Sequence, residues 1–325
     1  MVNKSFLWLL WQQAPGEMSG RGMVVERERT VANTHATSNG PANGPGTQGI
    51  SDAGFAARVR DAIDRQELSL VFQPQADVIT NRLTGFEALS RWRLSDGTML
   101  PPDVFVPMAE QGEAIHLLGE WTLRTACVAA TGWLRAGYPD IPVSVNLSAR
   151  QLDDPGLVLK VLGILAETGL PAANLKLELT ETSMFSQTAE AREALLRLRG
   201  AGIRLVLDDF GTGWSSLATL RRVPVEALKI DKQFVQAMVE DRDAAAIVQA
   251  VVALAHALEL GVVAEGVETP EQRLYLQAYR CDVLQGYWLS RPLSADGVDA
   301  FLAERSAILP SIGSGGSGAG PQTSG

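Results

Sequence analysis

The sequence predicts an α/β fold: a modified (β/α)8, TIM-like barrel with one antiparallel strand near its N-terminus. Three observations carry that prediction: eight short β-rich apolar runs, amphipathic helical stretches between them, and polar residues at the carboxyl ends of most runs. Strands that alternate with helices pair in parallel through right-handed crossovers. Eight such units in roughly 250 residues match a closed barrel. An open doubly wound sheet is the competing architecture, and strand count alone does not dismiss it.

In order, the runs are "LSLVFQP", "LTGFEALSRW", "PVSVN", "LKLEL", "IRLVL", "ALKI", "VVAE" and "DVLQGY". Only "QADVITNR" separates the first two, too short for a helical crossover, so that pair is expected to be antiparallel. Between the fourth and fifth, "TAEAREALLRLRGAG" carries leucines at helical spacing and glycines where a helix stops. The stretch "AAAIVQAVVALAHALELG" repeats that form before "VVAE", and His256 within it is expected to be packed. His116 falls at a helix start and His35 in a polar segment. Three histidines so dispersed offer neither a histidine-rich metal site nor a His-dependent hydrolase.

Residues 52–305 are expected to form the barrel, with 1–51 a disordered leader and 306–325 a flexible Gly/Ser-rich tail. The run "SFLWLLW" is too short to span a bilayer, which needs about 20 residues, so no membrane span is expected. The formal charge of -9 argues against DNA or RNA as partners, because phosphate-tracking surfaces rely on clustered Lys and Arg. Two cysteines, Cys127 and Cys281, make no disulfide framework and are expected in the core. They fit a reducing compartment, the cytoplasm.

Polar residues mark the strand ends: Glu87, Asn146, Glu178, Asp208 and Asp209, Lys229 and Asp231, Glu265, and Gln285. In a β/α barrel those ends share the catalytic face. Crowded acids have raised pKa values unless cations neutralise them. Oxygen donors without nearby His or Cys favour hard cations such as Mg²⁺ or Mn²⁺, and five acids with an amide suffice for two ions. Paired metals of this kind commonly serve in-line attack of water on a phosphodiester. Lys229 would orient the water or neutralise developing charge. "DFG" also occurs in protein kinases, but neither "HRD" nor a glycine-rich phosphate loop accompanies it here.

Asp208 and Asp209 raise a geometric problem, since successive strand residues point to opposite faces. The expected answer is that Asp208 continues the strand while Asp209 lies where the chain leaves it. Gly211 and Gly213 then permit the bend that follows.

The ordered set "FQP", "EALSRW", "AEQGEAIHLLGEWTLRTAC", "VNLSARQL", "LELTET", "LDDFGTGWSSLATLRRVPVEALKIDKQFV", "VVAEGVET" and "LQGYWLSRPL" resembles the EAL-domain family of bacterial cyclic di-GMP phosphodiesterases. The resemblance covers nearly all of residues 52–305. It implies hydrolysis of one phosphodiester bond of cyclic di-GMP to linear pGpG, with Mg²⁺ or Mn²⁺ and inhibition by Ca²⁺. Carried over by position, Glu87, Asn146, Glu178 and Asp208 would hold one metal, with Asp208 shared and Asp209 on the second. Glu265 would complete the second site or act as base, and Lys229 would contact the hydrolytic water. Arg91 would meet a substrate phosphate, with Gln285 on the same substrate side. Gln285, Asp231 and Glu268 would support the site, and Glu181 would tether the loop of Gly211 and Gly213.

Departures from the family pattern are few: Trp214 stands where Tyr is commoner, and Gln75 and Ala76 replace more apolar residues. A homodimer and a regulatory protein partner are implied by resemblance alone. The alternative function is a catalytically silent cyclic di-GMP receptor acting through protein partners. A lost ligand would mark it, and every metal-set position carries the expected residue type.

Overall fold

The computed structural model describes residues 52–138, 141–185, 188–211, 220 and 224–308. The expected leader, Gly213, Trp214 and residues 309–325 lie outside them. Helix α1 (Asp52–Asp64) leads into strands β1 (Leu68–Asp77), β2 (Leu83–Arg93) and β3 (Met99–Leu100). Helices α2 (Pro102–Glu110) and α3 (Ala114–Arg135) precede β4 (Val143–Asn146). Next come α4 (Ala149–Leu152), α5 (Leu157–Thr168), β5 (Leu175–Thr180), α6 (Glu181–Phe185), α7 (Ala189–Gly200) and β6 (Arg204–Phe210). The chain continues through β7 (Ala227–Ile230), α8 (Lys232–Ala237), α9 (Arg242–Ala257) and β8 (Gly261–Ala264). It ends with α10 (Pro270–Ala278), β9 (Val283–Gln285) and α11 (Ala295–Ile308), the last running three residues into the segment expected as tail.

The sheet order β1-β9-β8-β7-β6-β5-β4-β2, with β1 paired back to β2, closes the barrel and excludes the open sheet. Strand β1 runs antiparallel to both its neighbours, β2 and β9. The other barrel pairings are parallel. The short β3, absent from the sequence reading, adds to β2 outside the barrel, with Leu100 opposite Trp92. On the outside of the reversed pair, Trp133 of α3 lies 5.1 Å from the ring of Phe72 and 5.0 Å from that of Phe86. Burial of each such aromatic stabilises the pair by about 1.5–3 kcal/mol.

His256 corrects the expectation of a packed residue. The buried stripe of α9 is Ala244, Val248, Val251, Val252 and Ala255, which leaves His256 exposed, its Nε2 3.0 Å from Asp282 Oδ2. Cys127 and Cys281 are both buried, and burial pushes each thiol up to about 12. Among the described residues, no helix is long and apolar enough to cross a membrane.

The sequence reading assigns no element to α1, which builds a satellite core. Its Phe55 and Val59 join a buried cluster with Trp92, Phe105, Ile115 and Leu118. Beside this cluster Glu67 accepts bonds from Arg58 Nη2 at 2.5 Å and Trp92 Nε1 at 3.1 Å. Burial opposes ionisation of Glu67, yet the bonds from Arg58 and Trp92 outweigh it and hold the carboxyl below its usual range. A depressed folded-state pKa gives stability that is present above the unfolded pKa and lost as pH falls through the folded one. The part of the stability that Glu67 supplies is therefore expected to be lost as pH falls below the ordinary glutamate value of 4.5. The melting temperature of wild type relative to Glu67→Gln is expected to drop over that range, and a difference between the two proteins that does not change with pH would exclude Glu67 as a source.

Candidate active site

Barrels of this class usually fill the interior with branched apolar side chains. Here the strand register lines it with polar groups instead. Gln73 lies opposite Glu87 and Gln75 opposite Gln285. Glu87 lies beside Ser144, and Asn146 beside Glu178. Residues paired directly across a ladder share a face, and side chains alternate along each strand. The same rule turns Asp208, Lys229 and Glu265 inward with them.

Lys229 sits at the centre of the ring and is fully buried. Its Nζ lies 2.5 Å from Glu178 Oε2, 2.6 Å from Glu265 Oε1, and 3.3 Å from both Glu87 Oε2 and Asp208 Oδ2. Glu87 is also held by two amides: Asn146 Nδ2 donates to its Oε1 at 3.0 Å, and Gln285 Nε2 donates to its Oε2 at 2.6 Å. Every one of these groups is buried or partly buried except Asn146, at the exposed mouth.

The two adjacent acids share the site through a β-bulge, which corrects the expectation that Asp209 lies past the strand end. β6 runs on to Phe210. Leu207 pairs with Leu228 and Phe210 with Ile230, so two residues of β6 stand against the single Lys229 of β7. Such an extra residue re-aims side chains locally. Asp209 takes the left-handed φ of 55° that makes this possible, and its N–H donates to Asp208 Oδ1 at 2.8 Å. Carboxylate oxygens of Asp208, Asp209 and Glu265 lie within 4.8 Å of one another.

The electrostatics follow from burial and like charge. Burial, with Asp208 and Glu87 nearby, raises Glu265 to about 8. Burial, with Glu87 and Asp208, raises Glu178 to about 7. Burial and the neighbouring Asp208 and Asp231 raise Asp209 to about 6. Asp208 is raised chiefly by burial. Burial works against both Glu87 and Lys229 being charged, and in both it loses. Lys229 and the amides hold Glu87 low, while the surrounding acids hold Lys229 well above its ordinary value. Were all five carboxylates ionised, as ligands to metal must be, they would exceed the one ammonium by four negative charges, which two divalent cations would neutralise. The donors are hard oxygens, the chemistry Mg²⁺ and Mn²⁺ prefer, so the residues present fit such ions.

The remaining site residues divide by position. Arg91 stands four residues beyond Glu87 on the same face of β2, half-buried, with Nη1 donating to the Ser90 carbonyl at 2.8 Å. Glu181 is buried, and its Oε2 accepts from Gly211 N at 3.2 Å. Gly211 has a φ of 100°, where a side chain would be strained and would also crowd the Phe234 ring. Asp231 caps α8, its Oδ1 accepting from Gln233 N at 2.7 Å. Glu268 is exposed and accepts from Gln236 Nε2 at 3.0 Å. Gln73 and Gln75 enter the site without having been singled out for it. The signal that finds them is alternation: both point the same way along β1.

A family description, the EAL domain, matches residues 56–292. Over 245 residues the chain is 40% identical to the bifunctional diguanylate cyclase/cyclic di-GMP phosphodiesterase MucR of Pseudomonas aeruginosa, covering 75% of this chain and 36% of that protein. Over 244 residues it is 40% identical to the cyclic di-GMP phosphodiesterase NbdA of the same organism, covering 75% of this chain and 31% of that protein. The chain thus spans about a third of the length of the curated relatives it matches. Among solved structures, the PaMucR phosphodiesterase in complex with c-di-GMP superposes with a TM-score of 0.72 at 39% identity. That match covers 75% of this chain and 99% of the other.

Proposed function

The chain belongs to the EAL domain family, and from that premise we propose that residues 52–305 hydrolyse cyclic di-GMP to linear pGpG with Mg²⁺ or Mn²⁺. The observation that carries this reading is the complete acid ring around Lys229. Glu87, Asn146, Glu178 and Asp208 would hold one ion and Asp208 with Asp209 the other. When bound, such ions lower the pKa of water and stabilise the leaving oxygen of a phosphodiester.

The chain's own residues do the rest. Lys229 keeps its positive charge among the acids, where its N–H groups orient the attacking water and balance charge that develops on the phosphate. Glu265, with one oxygen on Lys229, accepts the proton of that water or completes the second ion's donors. Gln285 and Asn146 fix the Glu87 carboxylate from both sides. Arg91 meets a phosphate oxygen of the substrate with a charge-assisted bond. Asp231 supports Asp209, and Glu181 ties the backbone after the bulge through Gly211. The reading includes a homodimer, a regulatory partner and a cytoplasmic location.

Purified protein incubated with cyclic di-GMP and either metal is expected to release pGpG. A rate per protomer that rises with protein concentration would support the homodimer. Binding without turnover under both metals would establish the silent receptor instead. Calcium is expected to occupy the ring and inhibit, because its loose coordination positions water poorly. Full activity in Ca²⁺, measured by pGpG release after chelation and reloading, would contradict the two-ion arrangement.

A further inference from the structure

We propose that Gln75 is a positioning residue that sets the orientation of Gln285 and, through it, the Glu87 carboxylate. The inference rests on the proposed metal role of Glu87. Gln75 is a position where this chain carries an amide in place of a more apolar residue, and that amide is almost completely buried, at 1% exposure.

The hydrogen bonds run in one direction. Gln75 Nε2 donates to Gln285 Oε1 at 2.8 Å. Gln285 Nε2 then donates to Glu87 Oε2 at 2.6 Å and to Gln73 Oε1 at 3.3 Å. An ionised carboxylate only accepts hydrogen bonds, so the Gln285 amide must turn its nitrogen toward Glu87. Its oxygen is thereby forced toward β1, where it needs a donor, and Gln75 supplies one. Gly85 stands opposite Gln75 on β2, where a Cβ would press on the Pro142 carbonyl at 3.0 Å and only touch Gln75 Oε1 at 3.4 Å.

Without the Gln75 donor, the Gln285 oxygen is left buried and unpaired. The amide then swings away, and Glu87 loses its shorter amide contact, 2.6 Å against 3.0 Å. Groups that orient a metal ligand in this way alter metal affinity by about 10–100-fold when removed.

The test is Mn²⁺ titration by calorimetry on the full chain, in wild type, Gln75→Met, Gln285→Met and the double variant. Gln75→Met is expected to weaken Mn²⁺ binding about 10-fold. The double variant is expected to bind no more weakly than Gln285→Met alone, because the second change removes a donor whose acceptor is already gone. A purely structural role for Gln75 would instead make the two losses add. If Gln75→Met fails to fold, Gln75→Leu is titrated in its place. Additive losses, or an unchanged affinity in Gln75→Met beside a wild type that binds, overturn the relay alone. A wild type that binds no Mn²⁺ overturns the relay together with the metal reading.

Discussion

Asp208→Asn is expected to lower kcat by roughly 10³-fold or more, about 4 kcal/mol of transition-state stabilisation, while leaving the protein folded. Asp208 is the acid that both proposed ions would share, so its loss disturbs each of them. Burial penalises the charge of its carboxyl and raises its pKa. An uncharged side chain of the same shape therefore suits the metal-free fold. Metal-free melting temperatures at or above wild type, combined with lost pGpG release and weakened Mn²⁺ binding, are the expected pattern. Wild-type rates in this variant would remove Asp208 from the site.

Lys229→Met is expected to damage stability as well as turnover. One ammonium balances four carboxylates within 3.3 Å of it, all with little or no access to water. Removing one partner of a buried ionic group commonly costs about 3–5 kcal/mol, because the other charges stay behind unpaired. The metal-free variant should therefore unfold at markedly lower denaturant than wild type. Divalent cations then have more charge to neutralise and less competition for it, so Mn²⁺ should stabilise the variant by more than it stabilises wild type. Chemical denaturation with and without Mn²⁺ measures both effects. Equal Mn²⁺ effects on the two proteins would show that the ammonium and the metal do not address the same acids.

Much of this was legible in the sequence, for identifiable reasons. Buried parallel strands read as short apolar runs, and "LKLEL" and "ALKI" interrupt the run with inward-facing charges, Lys176 and Glu178 in the first and Lys229 in the second. The reversed first pair was legible from loop length alone. The bulge was not, because an extra residue in a strand leaves no trace in a pattern of period two. Asp209 therefore looked like the first residue past the strand. Gln73 and Gln75 stayed outside the predicted site because their inward direction depends on the register of β1 against two antiparallel neighbours. His256 misled for a related reason: "AIVQAVVALAHALEL" is apolar on nearly every face, so its wet side cannot be told from its dry one. Helix α1 escaped because its apolar stripe is narrow, with Phe55, Val59 and Ala62 set among charged residues.

The reversal of β1 has a consequence for how the domain can be wired. In a regular barrel the first strand starts at the floor, so whatever precedes it is attached far from the catalytic mouth. Here Leu68, at the start of β1, pairs with Trp92 at the end of β2, one residue beyond Arg91. The doorway through which the chain enters is therefore on the rim of the mouth. Helix α1 is its threshold, packed on Trp92 and latched by Arg58 and Glu67. The first described strand thus begins beside the residue proposed to grip the substrate phosphate, and not at the opposite end of the barrel.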